Sequence, residues 1–215
     1  MYAKMVRGAF GALAVTLVFP LTGSAQVGAN VSGLIDPNRA SKDELVGVNH
    51  VTPAMADQII AARPVLDMMV VDRILAGSLS EAQREEVYGK LWAPLNVNTA
   101  SREEILLIPG VGDRMLHEFE EYRPYAGLPV FHREIGKYVD DSELARLEQY
   151  VFVPIDLNAA TDEQILSIPG VGNRMLHEFK EYRPYDSIEK FRREIGKYVD
   201  EKEVRRLEHY VTIRN

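Results

Sequence analysis

The sequence predicts an all-α fold of tandem units. The chain repeats itself at an offset of sixty residues, helix-opening capping motifs recur at fixed places in each repeat, and no apolar-polar alternation persists long enough to make a strand. Segments 98–151 and 158–211 are identical at 36 of 54 positions without a gap. Carried back by another sixty residues, the offset finds a divergent copy, in which Asn38, Ala40, Met55, Arg63 and Pro64 match Asn98, Ala100, Met115, Arg123 and Pro124. The expected units are 35–94, 95–154 and 155–215.

Residues 1–25 read as a secretory signal peptide. Lys4 and Arg7 precede the apolar run "GAFGALAVTLVFPLTG", and the small residues Gly23 and Ala25 suit cleavage after Ala25. The run is short and proline-broken for a membrane span, so membrane contact is expected only through this segment if it stays attached. Residues 26–34, "QVGANVSGL", read as a flexible leader. The 215-residue chain has no cysteine, which excludes disulfides and thiolate-ligated metals, and its formal charge is -7. An acidic protein does not coat nucleic acid through bulk charge, so any anion site must be local.

Within each unit, Ser41, Ser101 and Thr161 stand three residues before Glu44, Glu104 and Gln164, the spacing of a capping box. Ile105, Leu106 and Ile108 give the helix that follows its apolar residues, and Pro109-Gly110 stops it. A second helix starts after Gly112, with Met115, Leu116, Phe119 and Tyr122 on one face, and ends before Pro124. A further pair flanks "KYVD", with Phe131, Ile135, Leu144, Leu147 and Val151 as its apolar positions. Each unit is thus expected to hold four short helices in two hairpins.

Only the first hairpin of units 2 and 3 carries Pro-Gly-Val-Gly. Glycine at both ends of Gly110-Val111-Gly112 and Gly170-Val171-Gly172 is expected to allow backbone angles denied to other residues and close approach of another molecule. Val111 and Val171 should plug the hairpin. The amides opening the next helix are unpaired donors at the positive end of its dipole, which suits a phosphate oxygen.

"NVNTASREEILLIPGVGDRM" and "DLNAATDEQILSIPGVGNRM" resemble the helix-hairpin-helix motif, in the form found in the exported competence protein ComEA. The likeness is strong in units 2 and 3 and weak in unit 1. It implies two hairpins packed as one compact domain, whose turn amides hold duplex DNA by its backbone without reading sequence. Carried over, Gly110, Val111 and Gly112, and Gly170, Val171 and Gly172, would be phosphate loops, with Arg114 and Arg174 as flanking charges. Base-excision glycosylases use a similar hairpin, but no segment here matches their catalytic aspartate or lysine, and no nucleophile elbow, P-loop or zinc-protease motif is present, so no enzyme, cofactor or small-molecule substrate is expected. The alternative is a scaffold of the same fold that binds an envelope protein partner and no DNA, as an extrinsic photosystem II protein related to this fold does.

Departures from the pattern rank the units. The unit 1 turn reads "VNHVT", with His50 and Thr52 in the glycine places, and should not admit phosphate. In the second hairpins, Lys137 and Val139, or Lys197 and Val199, stand there, so those turns should be structural. Asp113 puts a carboxylate beside the unit 2 turn, where unit 3 has Asn173. From residues 26, 96 and 156 onward the three segments carry -3, -5 and -1. Unit 3 is therefore the expected DNA site, with Lys180 and other unit 3 cations such as Lys190, Arg192 and Arg205 as possible supporting contacts. His117 with Glu121, and His177 with Glu181, lack a third ligand in sequence and are expected on helix surfaces rather than on a metal. The repeated aromatic residues, Trp92 and Met68-Met69 are expected to pack.

Overall fold

The computed structural model describes residues 33–214, so the expected signal peptide and the leader up to residue 32 lie outside the described residues. The fold is mostly helical. Residues 35–94 contribute α1 (Lys42–Val46), α2 (Pro53–Ala61), α3 (Met68–Ala76) and α4 (Glu81–Tyr88). The next sixty contribute α5 (Arg102–Leu106), α6 (Asp113–Glu121), α7 (Leu128–Ile135) and α8 (Asp141–Glu148). The last sixty contribute α9 (Asp162–Leu166), α10 (Asn173–Glu181), α11 (Ile188–Ile195) and α12 (Glu201–Glu208). Successive helices pack in pairs: α1 with α2, α3 with α4, and so on to α11 with α12. None of the described helices is long and apolar enough to cross a membrane.

Strictly, the fold is not all helix. Four two-residue strands, β1 (Leu95–Asn96), β2 (Val151–Phe152), β3 (Ile155–Asp156) and β4 (Val211–Thr212), form two parallel pairs, β1 with β2 and β3 with β4, and Ile35 bridges Leu91 in the same way. Each joins the start of a sixty-residue stretch to its end, through bonds such as Leu95 N–H to the Tyr150 carbonyl at 2.9 Å and Ile155 N–H to that of Tyr210 at 3.0 Å. Two residues are too few to show a period of two, which is why these strands leave no signal in the sequence.

The residues shared by all three copies add a second tie, from the start of each repeat to its middle. Asn98 donates from Nδ2 to the Tyr125 carbonyl at 2.9 Å and accepts the Tyr125 N–H at 2.6 Å. Asn38 does the same to Val65, and Asn158 to Tyr185. Arg123 reaches the Val97 and Ala100 carbonyls, Arg63 those of Pro37 and Ala40, and Arg183 that of Ala160. The Arg-Pro bonds at Pro64, Pro124 and Pro184 are all cis. These polar staples fix the loop before the first helix pair to the segment after it.

The cores are divided unequally. One continuous cluster runs from Ala40 to Val153, so the first two repeats share a core, and a second runs from Phe152 to Val211. Trp92 and Met68 lie in the first cluster and are almost wholly buried, with the Trp92 indole donating to the Tyr150 carbonyl at 2.9 Å. Phe119, Phe131, Tyr125 and their counterparts Phe179, Phe191 and Tyr185 are core residues, which agrees with their helical spacing. The Tyr122 and Tyr138 hydroxyls share a hydrogen bond of 2.8 Å, as do those of Tyr182 and Tyr198.

Two of the three capping boxes form, at Ser41 with Glu44 and at Thr161 with Gln164. Ser101 caps α5, but Glu104 turns away and accepts the Met68 N–H at the start of α3, at 3.2 Å. Its site between the first two repeats is only 7% exposed. Burial, reinforced by the Asp67 carboxylate, pushes its carboxyl up to about 7.

Candidate nucleic-acid interface

The three turns share one backbone path but not one sequence. Gly110 and Gly170 sit in the left-handed region, with φ of 78° and 83°, and His50 holds the same place with φ of 69°. Only the first glycine of each Gly-Val-Gly needs this freedom, which corrects the expectation that both do. Gly112 and Gly172 have φ of -110° and -112°, open to any residue, and a Cβ there would meet nothing within 4 Å. What glycine supplies at this second place is a bare surface. Val111 and Val171 are buried plugs, as is Val51 in the first turn.

Capping separates the first turn from the other two. Thr52 accepts the Met55 N–H at 3.3 Å and so consumes a donor of α2's first turn. Gly112 and Gly172 offer no side chain, and α6 and α10 begin without a side-chain cap. Their opening amides keep their donors for another acceptor. In the later pairs, Asp140 and Asp200 cap α8 and α12 from their own side chains, and Gly136 and Gly196 are sterically required, since a Cβ would lie 2.7 Å from a helix carbonyl. Lys137 pairs with Glu134 and Lys197 with Glu194.

The second turn is faced by acid. The Gly110 N–H donates to Glu85 Oε1 of α4 at 3.3 Å. A cleft of about 360 Å³ lies there between Glu81, Arg84, Glu85 and Tyr88 on one side and Leu106 to Gly112 on the other. Asp113 is exposed as the first residue of α6, and Arg146 places Nη2 3.5 Å from the position of a Gly110 Cβ while pairing with Glu143 at 2.6 Å.

The third turn is faced by guanidinium groups. A Cβ on Gly170 would lie 3.0 Å from Arg39 Nε and 3.3 Å from Arg206 Nη2, and the Gly170 N–H has no acceptor among the described residues. Asn173 and Arg174 open α10 on the exposed surface, as Arg114 does in α6. Lys180 is not at the turn. It lies seven residues on, about 10 Å along the helix, and pairs with Asp162 at 2.6 Å. The second repeat holds the same place with charges reversed, Arg102 with Glu120.

Most other cations of the third repeat are likewise engaged: Arg192 with Glu208, Arg193 with Glu194, and Lys190 with the Pro184 carbonyl. The His117–Glu121 and His177–Glu181 contacts, 3.4 and 3.2 Å, are exposed pairs on helix surfaces. A larger cleft of about 660 Å³ opens away from the turns, between Leu66 and α11 and α12. His209 lines it, and burial drives its imidazole down to about 4, against the pull of Asp67.

No protein-family model, curated protein or solved structure matches the chain. Functional assignment therefore rests on the turns themselves. Sequence reasoning missed Arg39 and Glu85, which come from the first repeat to face the turns of the third and second. The signal was available, since Arg39 aligns with Thr99 and Ala159, and Glu85 with Ala145 and Arg205.

Proposed function

We propose that this chain is an exported, non-catalytic protein of tandem helix-hairpin-helix units, of the ComEA type, that holds duplex DNA by backbone phosphates without reading sequence. Unit 3 is the binding unit. The observation that carries this reading is the third turn: a positive-φ glycine, a bare second glycine, uncapped helix amides and two arginines stand together there. Amides of this kind, backed by a helix dipole, suit one phosphate oxygen each and recognise no base. Units 1 and 2 position unit 3 and contribute little phosphate contact, because Thr52 caps one turn and Glu85 faces the other.

The test is a fluorescence-anisotropy titration of the protein with random-sequence duplex DNA at two salt concentrations. Saturable binding that weakens with salt is expected, with an affinity loss of about tenfold in Gly172→Ala, roughly the cost of one charge-assisted contact. A Cβ at Gly172 has open space around it, so this variant tests ligand approach rather than folding. Equal affinity in Gly172→Ala would remove the third turn from the interface.

One observation favours a second reading, a scaffold for a protein partner in the cell envelope. The Gly110 amide already binds a protein carboxylate, that of Glu85. A turn that accepts one carboxylate can accept another, and absence of DNA binding at low salt would select this reading.

A further inference from the structure

We infer that Arg39, from the first repeat, is an anion-binding residue of the third turn, so that a phosphate site is completed by two repeats sixty residues or more apart in sequence. The inference rests on the proposed phosphate role of that turn and adds a ligand group to it.

Three observations converge on Arg39. It is exposed, and its guanidinium lies against the Gly170 turn, with Nε 3.0 Å and Cζ 3.3 Å from the position a Cβ would take. It makes no ion pair among the described residues, whereas Arg206 beside it is held by Glu203 at 2.6 and 2.7 Å. Arg206 is only 4% exposed and keeps Nη1 without a hydrogen-bond partner, a buried donor left over at the same turn. The α10 helix behind the turn runs nine residues and starts uncapped.

The surrounding charges are mixed, and they sharpen the assignment. Asp36 faces both arginines and Arg63, and burial pushes its carboxyl above the usual range against the Asn38 amide and these cations. Its Oδ2 is buried without a hydrogen-bond partner. Glu203 and Asp36 thus offset Arg206 and part of Arg39, so the site has little net field to draw anions from a distance. Its strength must come from contact. An exposed planar guanidinium beside free amides is suited to that, because two parallel N–H donors match two phosphate oxygens.

The equivalent places show that this is a property of one turn. Thr99 and Ala159 stand where Arg39 does, and Glu86, Arg146 and Arg206 stand at one position of the final helix of each repeat. The first turn therefore has His50 paired with Glu86 at 2.9 Å, the second has Arg146 opposed by Glu85, and only the third has two arginines.

The experiment compares Arg39→Ala with Arg73→Ala, an exposed arginine of the same repeat on α3, in the full protein, after circular dichroism confirms equal helix content. Two titrants are used. Random-sequence duplex DNA is followed by anisotropy, and inorganic phosphate by the amide resonances of residues 170–173. Arg39→Ala should lower DNA affinity about fivefold to tenfold and flatten the log-log salt dependence by about one, with less than a twofold loss in Arg73→Ala. Equal losses in the two variants would overturn the inference and leave the DNA reading standing. If DNA does not bind but phosphate shifts the 170–173 amides and Arg39→Ala weakens that shift, the anion site stands and the DNA reading falls. If neither titrant binds, both fall.

Discussion

The second and third turns share Ile-Pro-Gly-Val-Gly and, one residue on, Arg-Met-Leu-His-Glu-Phe, with Asp113 or Asn173 between. Their backbones agree to within a few degrees at each glycine. Yet a glutamate of α4 hydrogen-bonds one and two arginines flank the other. A motif therefore fixes where donors point, and its neighbours decide what those donors meet. The second and third turns differ in what faces them through Glu85 and Arg39, residues of the first repeat, which itself has the most degenerate turn.

The largest effect expected from making unit 2 resemble unit 3 is on stability. Glu104 aligns with Gln164, and Glu104→Gln would keep an acceptor for the Met68 N–H without a charge. A carboxyl raised to about 7 from 4.5 holds its proton more tightly in the fold than in the unfolded chain. It favours folding below pH 4.5, and that contribution is lost as pH rises toward 7. Glu104→Gln should be more stable than the parent at pH 7, by on the order of 2 kcal/mol, or several degrees in Tm. Thermal melts from pH 4 to 8 should show the difference vanish toward pH 4.5. A difference independent of pH would mean that Glu104 is not held neutral.

Next in size is the conversion of the second turn itself. Glu85→Ala frees the Gly110 amide, and Asp113→Asn restores the neutral residue of the third turn. The double variant should bind duplex DNA several-fold more tightly, with a salt dependence steeper by about one for each phosphate gained. An unchanged slope would make the second turn a joint between repeats and confine DNA contact to the third.

Much of the fold was legible because its causes are local. Capping boxes, Pro-Gly stops and apolar spacing act within ten residues, and the helices begin and end where those signals stand. The burial of Val111 and Val171 follows from the same local pattern. Docking between repeats was not legible. Whether Glu104 completes its own capping box or reaches α3 depends on where the first repeat lies, and nothing in "SREE" records that. Packing of neighbouring helices within a repeat was not legible either: Lys180 reads as a free charge in sequence, and Asp162 of the preceding helix stands opposite it. Differences among the copies were the readable trace: Glu86 stands where the other two have arginine, Arg39 and Glu85 stand where all three copies differ, and each faces a turn.

The smallest effect concerns the first turn and tests whether glycine alone makes a clamp. His50 holds a φ of 69° that costs a side-chain-bearing residue roughly 1 kcal/mol or more, and its partner Glu86 is exposed, so their hydrogen bond returns little. His50→Gly removes the strain, loses the pair and gives the unfolded chain more freedom. The net gain should be under about 1 kcal/mol, read as a small rise in the urea midpoint with an unchanged slope. DNA affinity should not rise, because Thr52 still occupies the Met55 N–H and Glu86 would then face the turn unpaired. If His50→Gly did bind DNA more tightly, backbone shape would outweigh the facing charges, and the second turn should then bind DNA despite Glu85 and Asp113.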